Sequence, residues 1–302
     1  MISPSMRDRF VETTVKLLSS NSKVVLVLAE ISMSAFNDLD LSDGIRQRII
    51  NVGIREQLMV GVAAGLAKEG FVPIIHTYAP FLVERAYEQL KLDFGHQGLS
   101  GVFVSIGASY DAASSGRTHQ APADVSLIRG LPDWNIFVPG HTDEVEEFMS
   151  HAVSSNRSSY IRLSEQANEA ARIHPNQLMI EERNGDHDCV VIAVGPTLDP
   201  VLSATDGLDL TVLYAPSIRP FDADTLKKYS AKNIVLVEPY LAGTSSASIS
   251  SSLIDQPHRL LSLGVKNSDL RKYGEPAQHA AAHGLDAVGL RKSIYEFYDS
   301  KS

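Results

Sequence analysis

Residues 53–66 read GIREQLMVGVAAGL, in which a glutamate precedes apolar residues at four-residue spacing. Leu58, Val62 and Leu66 would share one face of a helix, since residues four apart lie one above the other along a helix surface. The pattern predicts an amphipathic helix with the carboxylate of Glu56 near its start. Two motifs further along the chain make Glu56 our leading candidate for catalysis.

These motifs supply side chains of other kinds. Residues 77–89 read TYAPFLVERAYEQ and place Tyr78 and Phe81 three residues apart at a predicted helix start. Residues 114–120 read SSGRTHQ and carry His119 in a polar loop. An aromatic pair at this spacing commonly belongs to a core, and a loop histidine is commonly solvated. The three motifs place an acid, an aromatic pair and a histidine in this order along the chain.

Composition and charge bound the class of protein. A chain of 302 residues with 44% hydrophobic side chains can bury one or two cores, and its length favours two domains. The formal charge of −9, without a dense Lys/Arg cluster, disfavours nucleic acid and anionic membranes as partners. No apolar run approaches the roughly 20 residues that span a bilayer, and the N-terminus lacks a secretory apolar core. We therefore expect a soluble cytoplasmic protein.

The single cysteine, Cys189, lies in an apolar run. A disulfide framework and a cysteine-based zinc site each need several thiols, so both are excluded. We predict no metal site in this chain and interpret Cys189 as an inert strand residue.

Short β-branched runs alternate with helical patterns through the first half, which is typical of parallel strands covered by helices on both faces. Most of these runs are nearly all apolar, as a buried parallel sheet requires. After residue 165 the periodicity lapses into a polar stretch with Pro175 and Gly185, and strand signals resume at Cys189. The predicted strands cover residues 24–28, 72–75, 102–106, 136–138, 160–163, 190–194, 211–214, 234–237 and 260–263.

The predicted fold class is α/β, with two doubly wound domains. The first domain covers residues 1–165, an interdomain linker covers 166–187, and a smaller second domain covers 188–302. A helix is expected over 287–298 in the second domain.

Together the motifs resemble the C-terminal half of transketolase, a thiamine diphosphate-dependent family. The resemblance implies a pyrimidine-binding domain followed by a transketolase C-terminal-type domain. Glu56 matches the glutamate of the family's Gly-(Ile/Val)-Arg-Glu motif, which implies that its carboxyl hydrogen-bonds the cofactor's pyrimidine and favours the imino tautomer that acts as an internal base. Tyr78 and Phe81 match the aromatic pair that stacks on the pyrimidine. His119 matches a histidine that hydrogen-bonds the developing oxyanion of the donor.

Departures from the family pattern fall on positions that touch sugar. Ser115 stands where transketolases place an aspartate that reads a donor hydroxyl, and Gly107 stands where they place a histidine. Glu84 replaces a third aromatic residue of the cofactor wall. Glu165 aligns with an arginine that holds the substrate phosphate, and a carboxylate there would repel a dianion. We infer an acceptor that is non-phosphorylated or differently anchored.

Other cations are available for that anchor. Arg7 and Ser34 match two further phosphate contacts of the family, although Arg7 near the N-terminus could equally face solvent. Arg117 or Arg162 could replace the missing arginine from a new direction. The substrate-binding candidates are therefore Arg7, Ser34, Ser115, His119 and Glu165.

The chain lacks the Gly-Asp-Gly segment and later asparagine that hold the cofactor's diphosphate and its Mg²⁺ through oxygen ligands. The resemblance thus covers only the pyrimidine-binding and C-terminal domains of a full transketolase. It implies that an N-terminal, diphosphate-binding partner subunit holds the Mg²⁺ or a similar divalent ion. An α₂β₂ assembly with a large apolar interface is the expectation.

The function predicted is that of the C-terminal subunit of a split transketolase, which transfers a two-carbon ketol unit from a ketose donor to an aldehyde-type acceptor. One alternative is the β subunit of a 2-oxo acid dehydrogenase decarboxylase, or a deoxyxylulose phosphate synthase-like enzyme, which would begin with decarboxylation. A second alternative is a non-catalytic assembly subunit that kept the fold.

Overall fold

The structure, a computed structural model, describes residues 4–172, 178–185, 188–268 and 271–299. Its helices are α1 (Met6–Ser20), α2 (Met33–Asn37), α3 (Asp43–Arg46), α4 (Glu56–Lys68), α5 (Tyr87–Gln89), α6 (Asp124–Arg129), α7 (Thr142–Ser154), α8 (Leu198–Ala204), α9 (Ala223–Lys227), α10 (Ser246–Ser252), α11 (Pro276–His283) and α12 (Ala287–Asp299). Its strands are β1 (Val24–Leu28), β2 (Ile49–Asn51), β3 (Val72–Tyr78), β4 (Val102–Ile106), β5 (Asn135–Phe137), β6 (Ser159–Arg162), β7 (Ile180–Arg183), β8 (Cys189–Val194), β9 (Thr211–Ala215), β10 (Ser217–Arg219), β11 (Asn233–Leu241) and β12 (Arg259–Val265).

Seven strands form the first sheet, in the order β10-β5-β6-β4-β3-β1-β2. Its pairs are parallel except for the edge pair of β10 with β5. The inner strands β1 and β4 are buried along their whole length because helices cover both faces. Helices α1 and α7 pack on one face, and α4 and α6 pack on the other.

Five strands form the second sheet, in the order β12-β11-β8-β9-β7, with β7 antiparallel to β9 at the edge. Helices α8 and α12 cover one face. The opposite face continues into the core that holds α4 and α6. The predicted α/β class with two doubly wound units is confirmed by these two sheets.

The two halves share specific buried contacts. The Tyr214 hydroxyl donates to Glu144 Oε2 at 2.6 Å and accepts from the Gly140 backbone N–H at 2.9 Å. Strand β10, from the second half, completes the first sheet, and the Arg219 side chain at its end donates to backbone carbonyls of Trp134 and, at 3.1 Å, Ile128. The edge of the first sheet is therefore fixed relative to the second unit.

The predicted strands are all present, with small shifts at their ends, and the predicted terminal helix is α12. The sequence pattern missed β2, β7 and β10, each of which is an edge strand. An edge strand is paired on one side only and need not be an apolar run, which is why residues 180–183 read IEER.

Strand β7 lies inside the range 166–187 that we predicted as a linker, so that part of the prediction needs correction. Residues 173–177 and 186–187 of the range lie outside the described residues. The domain boundaries at 165 and 188 otherwise stay a prediction. Among the described residues, no helix combines the length and apolar character needed to cross a bilayer.

Candidate functional site

Glu56 is the first residue of α4, after a turn in which Gly53 has a φ of +72°. Its side chain is 1% exposed, and its Oε2 accepts a hydrogen bond from Arg85 Nη1 at 2.6 Å. The N-terminus of a helix favours negative charge, so the position suits an ionised carboxylate. The sequence placed Glu56 correctly at a helix start but did not predict Arg85.

Helix α4 is apolar over more of its circumference than the four-residue spacing indicated. Its buried side is formed by Glu56, Met59, Val60, Ala63 and Ala64. Leu58, which we predicted to share one face with Val62 and Leu66, is 46% exposed, and Ile54, just before the helix, is 73% exposed. Val62 and Leu66 are half-buried and pack against the core, so only the N-terminal end of the predicted face is uncovered.

The Arg85 guanidinium connects the carboxylate to an aromatic side chain. It lies 4.1 Å from the centroid of the Phe81 ring, a cation–π geometry. Phe81 and Arg85 follow β3 on an irregular helix that starts with π-helical turns at Pro80–Glu84. Such turns often occur at functional sites because they redirect side chains out of the regular helix pattern.

Tyr78, Phe81 and His119 form an aromatic cluster. The ring centroids of Tyr78 and Phe81 are 6.1 Å apart, and His119 lies 5.8 Å from Tyr78 and 5.2 Å from Phe81, all in edge-to-face arrangements. The His119 Nδ1 lies 3.0 Å from Thr118 Oγ1, which limits rotation of the imidazole ring. The structure thus brings together the four side chains Glu56, Tyr78, Phe81 and His119, with Arg85 as the link.

Gly107 lies directly against the Tyr78 ring. Its φ is +70°, and a Cβ on it would lie 2.1 Å from Cδ1 of Tyr78. The tyrosine ring therefore occupies the space that a side chain at position 107 would need. The position of the Tyr78 ring therefore depends on a glycine at position 107.

Arg7, an exposed residue, contacts a buried polar pair, Ser32 and His76, that the sequence did not reveal. Its Nε donates to Ser32 Oγ at 3.1 Å, and Ser32 Oγ lies 2.9 Å from His76 Nε2. His76 Nδ1 lies 2.9 Å from the Val104 carbonyl, which can only accept, so Nδ1 carries the proton and Nε2 accepts from Ser32. Burial, with a smaller contribution from Arg7, lowers the pKa of His76 to about 3.

His76 lies within the apolar run of β3, and Ser32 adopts a left-handed backbone conformation with φ of +67°. Ser34, which we predicted as a substrate contact together with Arg7, is exposed and lies on α2. The hydroxyl that meets Arg7 is therefore that of Ser32.

Arg162, which we named with Arg117 as a possible replacement for the missing cation, is committed to partners inside the protein. It is fully buried, its Nε donates to Asp124 Oδ2 at 2.7 Å, and its Nη2 donates to Ser109 Oγ at 2.6 Å. Its guanidinium also lies 5.4 Å from the Tyr240 ring. A buried guanidinium needs such partners, so Arg162 has a structural role.

Two predicted substrate residues lie at the surface of the same region. Ser115 and Glu165 are exposed. The Glu165 backbone N–H donates to Oδ2 of the buried Asp111 at 3.0 Å, and Ala108 N–H donates to the same oxygen at 3.0 Å. Burial raises the pKa of Asp111 to about 7. This carboxyl ties the segment after β6 to the loop that leads to His119.

The chemistry of these groups fits one half of a cofactor. A buried carboxyl beside an aromatic cluster can bind a flat aminopyrimidine ring by a hydrogen bond and by ring packing. Among the described residues, no group of three His, Cys, Asp or Glu side chains is arranged to hold a metal ion.

The chain belongs to the transketolase family, because the family described as "Transketolase, pyrimidine binding domain" matches residues 3–169. Membership in this family implies dependence on thiamine diphosphate. A solved structure described as "Split gene transketolase, inactive beta4 tetramer" has the same fold, with a TM-score of 0.82 at 24% identity over 99% of each chain.

Three curated relatives are informative. An uncharacterised 33.6 kDa protein in the fasciation locus of Rhodococcoides fascians is 46% identical over 93% of this chain and 90% of its own. One subunit of the apulose-4-phosphate transketolase of Actinobacillus succinogenes is 30% identical over 80% of this chain and 82% of its own. A 1-deoxy-D-xylulose-5-phosphate synthase of Synechococcus sp. is 30% identical over 99% of this chain, which spans only 48% of that relative.

Proposed function

We propose that this chain is the pyrimidine-binding subunit of a two-chain, thiamine diphosphate-dependent transketolase. It would transfer a two-carbon ketol unit from a ketose donor to an aldehyde-type acceptor. The observation that carries the proposal is the buried carboxyl of Glu56, held at a helix N-terminus beside the aromatic cluster of Tyr78, Phe81 and His119.

When bound, thiamine diphosphate supplies the carbon nucleophile that carries the ketol unit. The residues of this chain would orient the cofactor and hold or transfer protons. We assign Glu56 to a hydrogen bond with the pyrimidine ring, made through Oε1, because Arg85 already binds Oε2. Tyr78 and Phe81 would pack against the ring and exclude water, which strengthens the electrostatic interactions inside the site.

His119 is assigned to the donor oxygen. Its ring contacts both Tyr78 and Phe81, so it lies on the rim of the proposed pyrimidine site. An imidazole N–H there can donate a hydrogen bond to an oxygen on which negative charge develops. The Nδ1 is engaged by Thr118, which directs Nε2 to this role.

The partner subunit is proposed to cover the exposed side of α4. Ile54, Leu58 and Leu92 are 73%, 46% and 42% exposed, and the first two flank Glu56 in sequence. Exposed apolar side chains beside a site of this kind mark an interaction surface. The A. succinogenes relative is named as one subunit of its transketolase, which supports a two-chain enzyme. We propose that the partner holds the diphosphate and Mg²⁺, in an α₂β₂ assembly.

The substrate is proposed to be non-phosphorylated or to have its phosphate anchored differently. Glu165 stands exposed where the resemblance placed an arginine, and Arg162 is committed to Asp124. One cation available for a new anchor is Arg7, whose Nε donates to Ser32 Oγ at 3.1 Å. We propose that Arg7 and Ser115 contact the donor or the acceptor substrate.

One rival activity has support. The Synechococcus relative is named as a synthase that would begin with decarboxylation, and it shares 30% identity with this chain. Release of carbon dioxide from pyruvate, without ketol transfer between sugars, would favour that rival.

The proposal is tested by purifying the tagged chain from its native cell in the presence of thiamine diphosphate and Mg²⁺, with mass spectrometry of accompanying proteins. A stoichiometric partner that bears the diphosphate motif, and ketol transfer by the pair, would support it. Isolation of the chain alone, without bound cofactor, would favour a non-catalytic assembly role.

A further inference from the structure

A cavity of about 250 Å³ lies where the loop before α6 meets the second half of the chain. The loop contributes Arg117 and Gln120, and the second half contributes Lys266, His279 and His283. None of Glu56, Tyr78, Phe81 and His119 lines it. The volume is below the roughly 300–1,000 Å³ of sites for drug-sized ligands and suits a small metabolite.

The cavity lining is positive in an acidic protein. The whole chain carries 36 acidic residues. Yet the described residues that line the cavity include Arg117 and Lys266 and neither Asp nor Glu. Local positive charge with weakly polar walls concentrates anions.

Gln120 gives the lining an unused hydrogen-bond donor. The residue is 6% exposed, and its Nε2 has no hydrogen-bond partner within the part of the chain that the structure describes. Buried amide groups are nearly always paired, because an unpaired one loses its hydration without compensation. An acceptor oxygen in the cavity would satisfy this group.

The two histidines are held in fixed orientations. Both rings stack on Tyr110, with centroid distances of 5.7 Å for His279 and 5.8 Å for His283. His283 Nδ1 accepts from the Lys266 backbone N–H at 3.2 Å, so its Nε2 carries the proton. Burial, followed by the neighbouring His279 and Lys266, lowers the pKa of His283.

We propose that this cavity is a second ligand site, which binds a small metabolite bearing an oxyanion. Arg117 and Lys266 would neutralise the oxyanion, and the Gln120 amide and His283 Nε2–H would donate hydrogen bonds to it. Arg117 shares its 3₁₀ turn, Arg117–His119, with the histidine of the candidate active site. A bound ligand would therefore hold the turn that carries His119. The binding itself does not depend on the proposed transketolase activity.

The test is calorimetric titration of the full chain with inorganic phosphate and, separately, with succinate, at pH 7 and constant ionic strength. Saturable binding of phosphate alone would indicate a phosphate ester as ligand, binding of succinate alone a carboxylate, and binding of both an oxyanion of either source. We expect Lys266→Gln to weaken binding about tenfold, the effect of losing one charge-assisted hydrogen bond.

Lys228→Gln, which removes an equal charge from an exposed position at the end of α9, is the matched control and should bind as the wild type does. Gln120→Leu should weaken binding while its melting temperature reports any loss of folding. If Gln120→Leu fails to fold, Lys266→Gln still tests the proposal, because Lys266 is exposed and its replacement should not disturb folding. Absence of saturable binding of both probes, or equal affinities in Lys266→Gln and Lys228→Gln, would overturn the proposal.

Discussion

Arg85 holds the carboxyl of Glu56 from one side: its Nη1 lies 2.6 Å from Glu56 Oε2, while the same guanidinium lies 4.1 Å from the Phe81 ring. The acid and the aromatic cluster are thus linked by a single cation. The pair joins the start of α4 to the segment after β3, which are 29 residues apart in sequence.

Replacement of Arg85 by methionine should destabilise the protein, because it leaves the buried Glu56 carboxylate without its partner. We expect a loss of about 1–3 kcal/mol in the free energy of unfolding at pH 7. Denaturant unfolding of the wild type, Arg85→Met, Glu56→Gln and the double variant would measure the coupling. The double variant should lose less than the sum of the single variants. Strict additivity would show that the ion pair contributes nothing.

Gly107→Ala should also be destabilising. The added Cβ would meet Tyr78 Cδ1 at 2.1 Å, at a φ of +70° that favours glycine. We expect a loss of at least about 1–3 kcal/mol together with weakened cofactor binding, since the Tyr78 ring must move. Gly65→Ala is the matched control, because Gly65 lies in α4 with open space around it. Thermal unfolding that ranks Gly107→Ala equal to or above this control would contradict the packing described.

Asp111 should make stability depend on pH. Its pKa in the folded protein, about 7, lies above the ordinary value of 3.8, so the folded state holds a proton that the unfolded chain has released. The contribution is complete below the unfolded pKa and is lost as the pH rises through about 7. Asp111→Asn should therefore remove roughly 2–3 kcal/mol of the decline in stability between pH 5 and 8.

Urea unfolding at several pH values would measure this slope. Asp40→Asn, at an exposed aspartate, should leave the slope as in the wild type. An unchanged slope in Asp111→Asn would mean that this carboxyl is ionised in the folded protein.

The exposed stripe of α4 should bind the partner subunit. Leu58→Glu places a charge at a position that we propose is buried in the complex, so it should weaken assembly at least about tenfold. Ile254→Glu is the control, at an equally apolar and 80% exposed position in the second half. Affinity of each variant for the co-purified partner would be measured by sedimentation. Equal effects of the two substitutions would place the interface elsewhere.

The parts of the fold predicted best were those with continuous burial. Strands β1 and β4 have the predicted bounds because a strand covered on both faces must be apolar throughout. The edge strands β2, β7 and β10 were missed because they are only three or four residues long, too short to give a clear periodic pattern.

Site residues that belong to a sequence motif could be predicted. Residues whose contacts are set by tertiary packing could not. Glu56, Tyr78, Phe81 and His119 lie together, as the family resemblance implied. Arg85 and His76 gave no such signal, because an arginine on a helix and a histidine in a strand acquire partners only when the chain folds. Leu58 lies at the end of the predicted apolar face, and the core covers that face only at Val62 and Leu66.

The central claim is that Glu56 activates a cofactor bound between this chain and a partner. The most direct measurement is ketol transfer by the complex reconstituted with thiamine diphosphate and Mg²⁺. It compares the wild type with Glu56→Ala and with Glu69→Ala, which removes an exposed carboxylate at the opposite end of α4. Both variants should assemble with the partner. We expect Glu56→Ala to lose turnover by at least about a hundredfold, the scale of a proton-transfer role, and Glu69→Ala to stay near the wild-type rate. Near-normal turnover in an assembled Glu56→Ala complex would contradict the account.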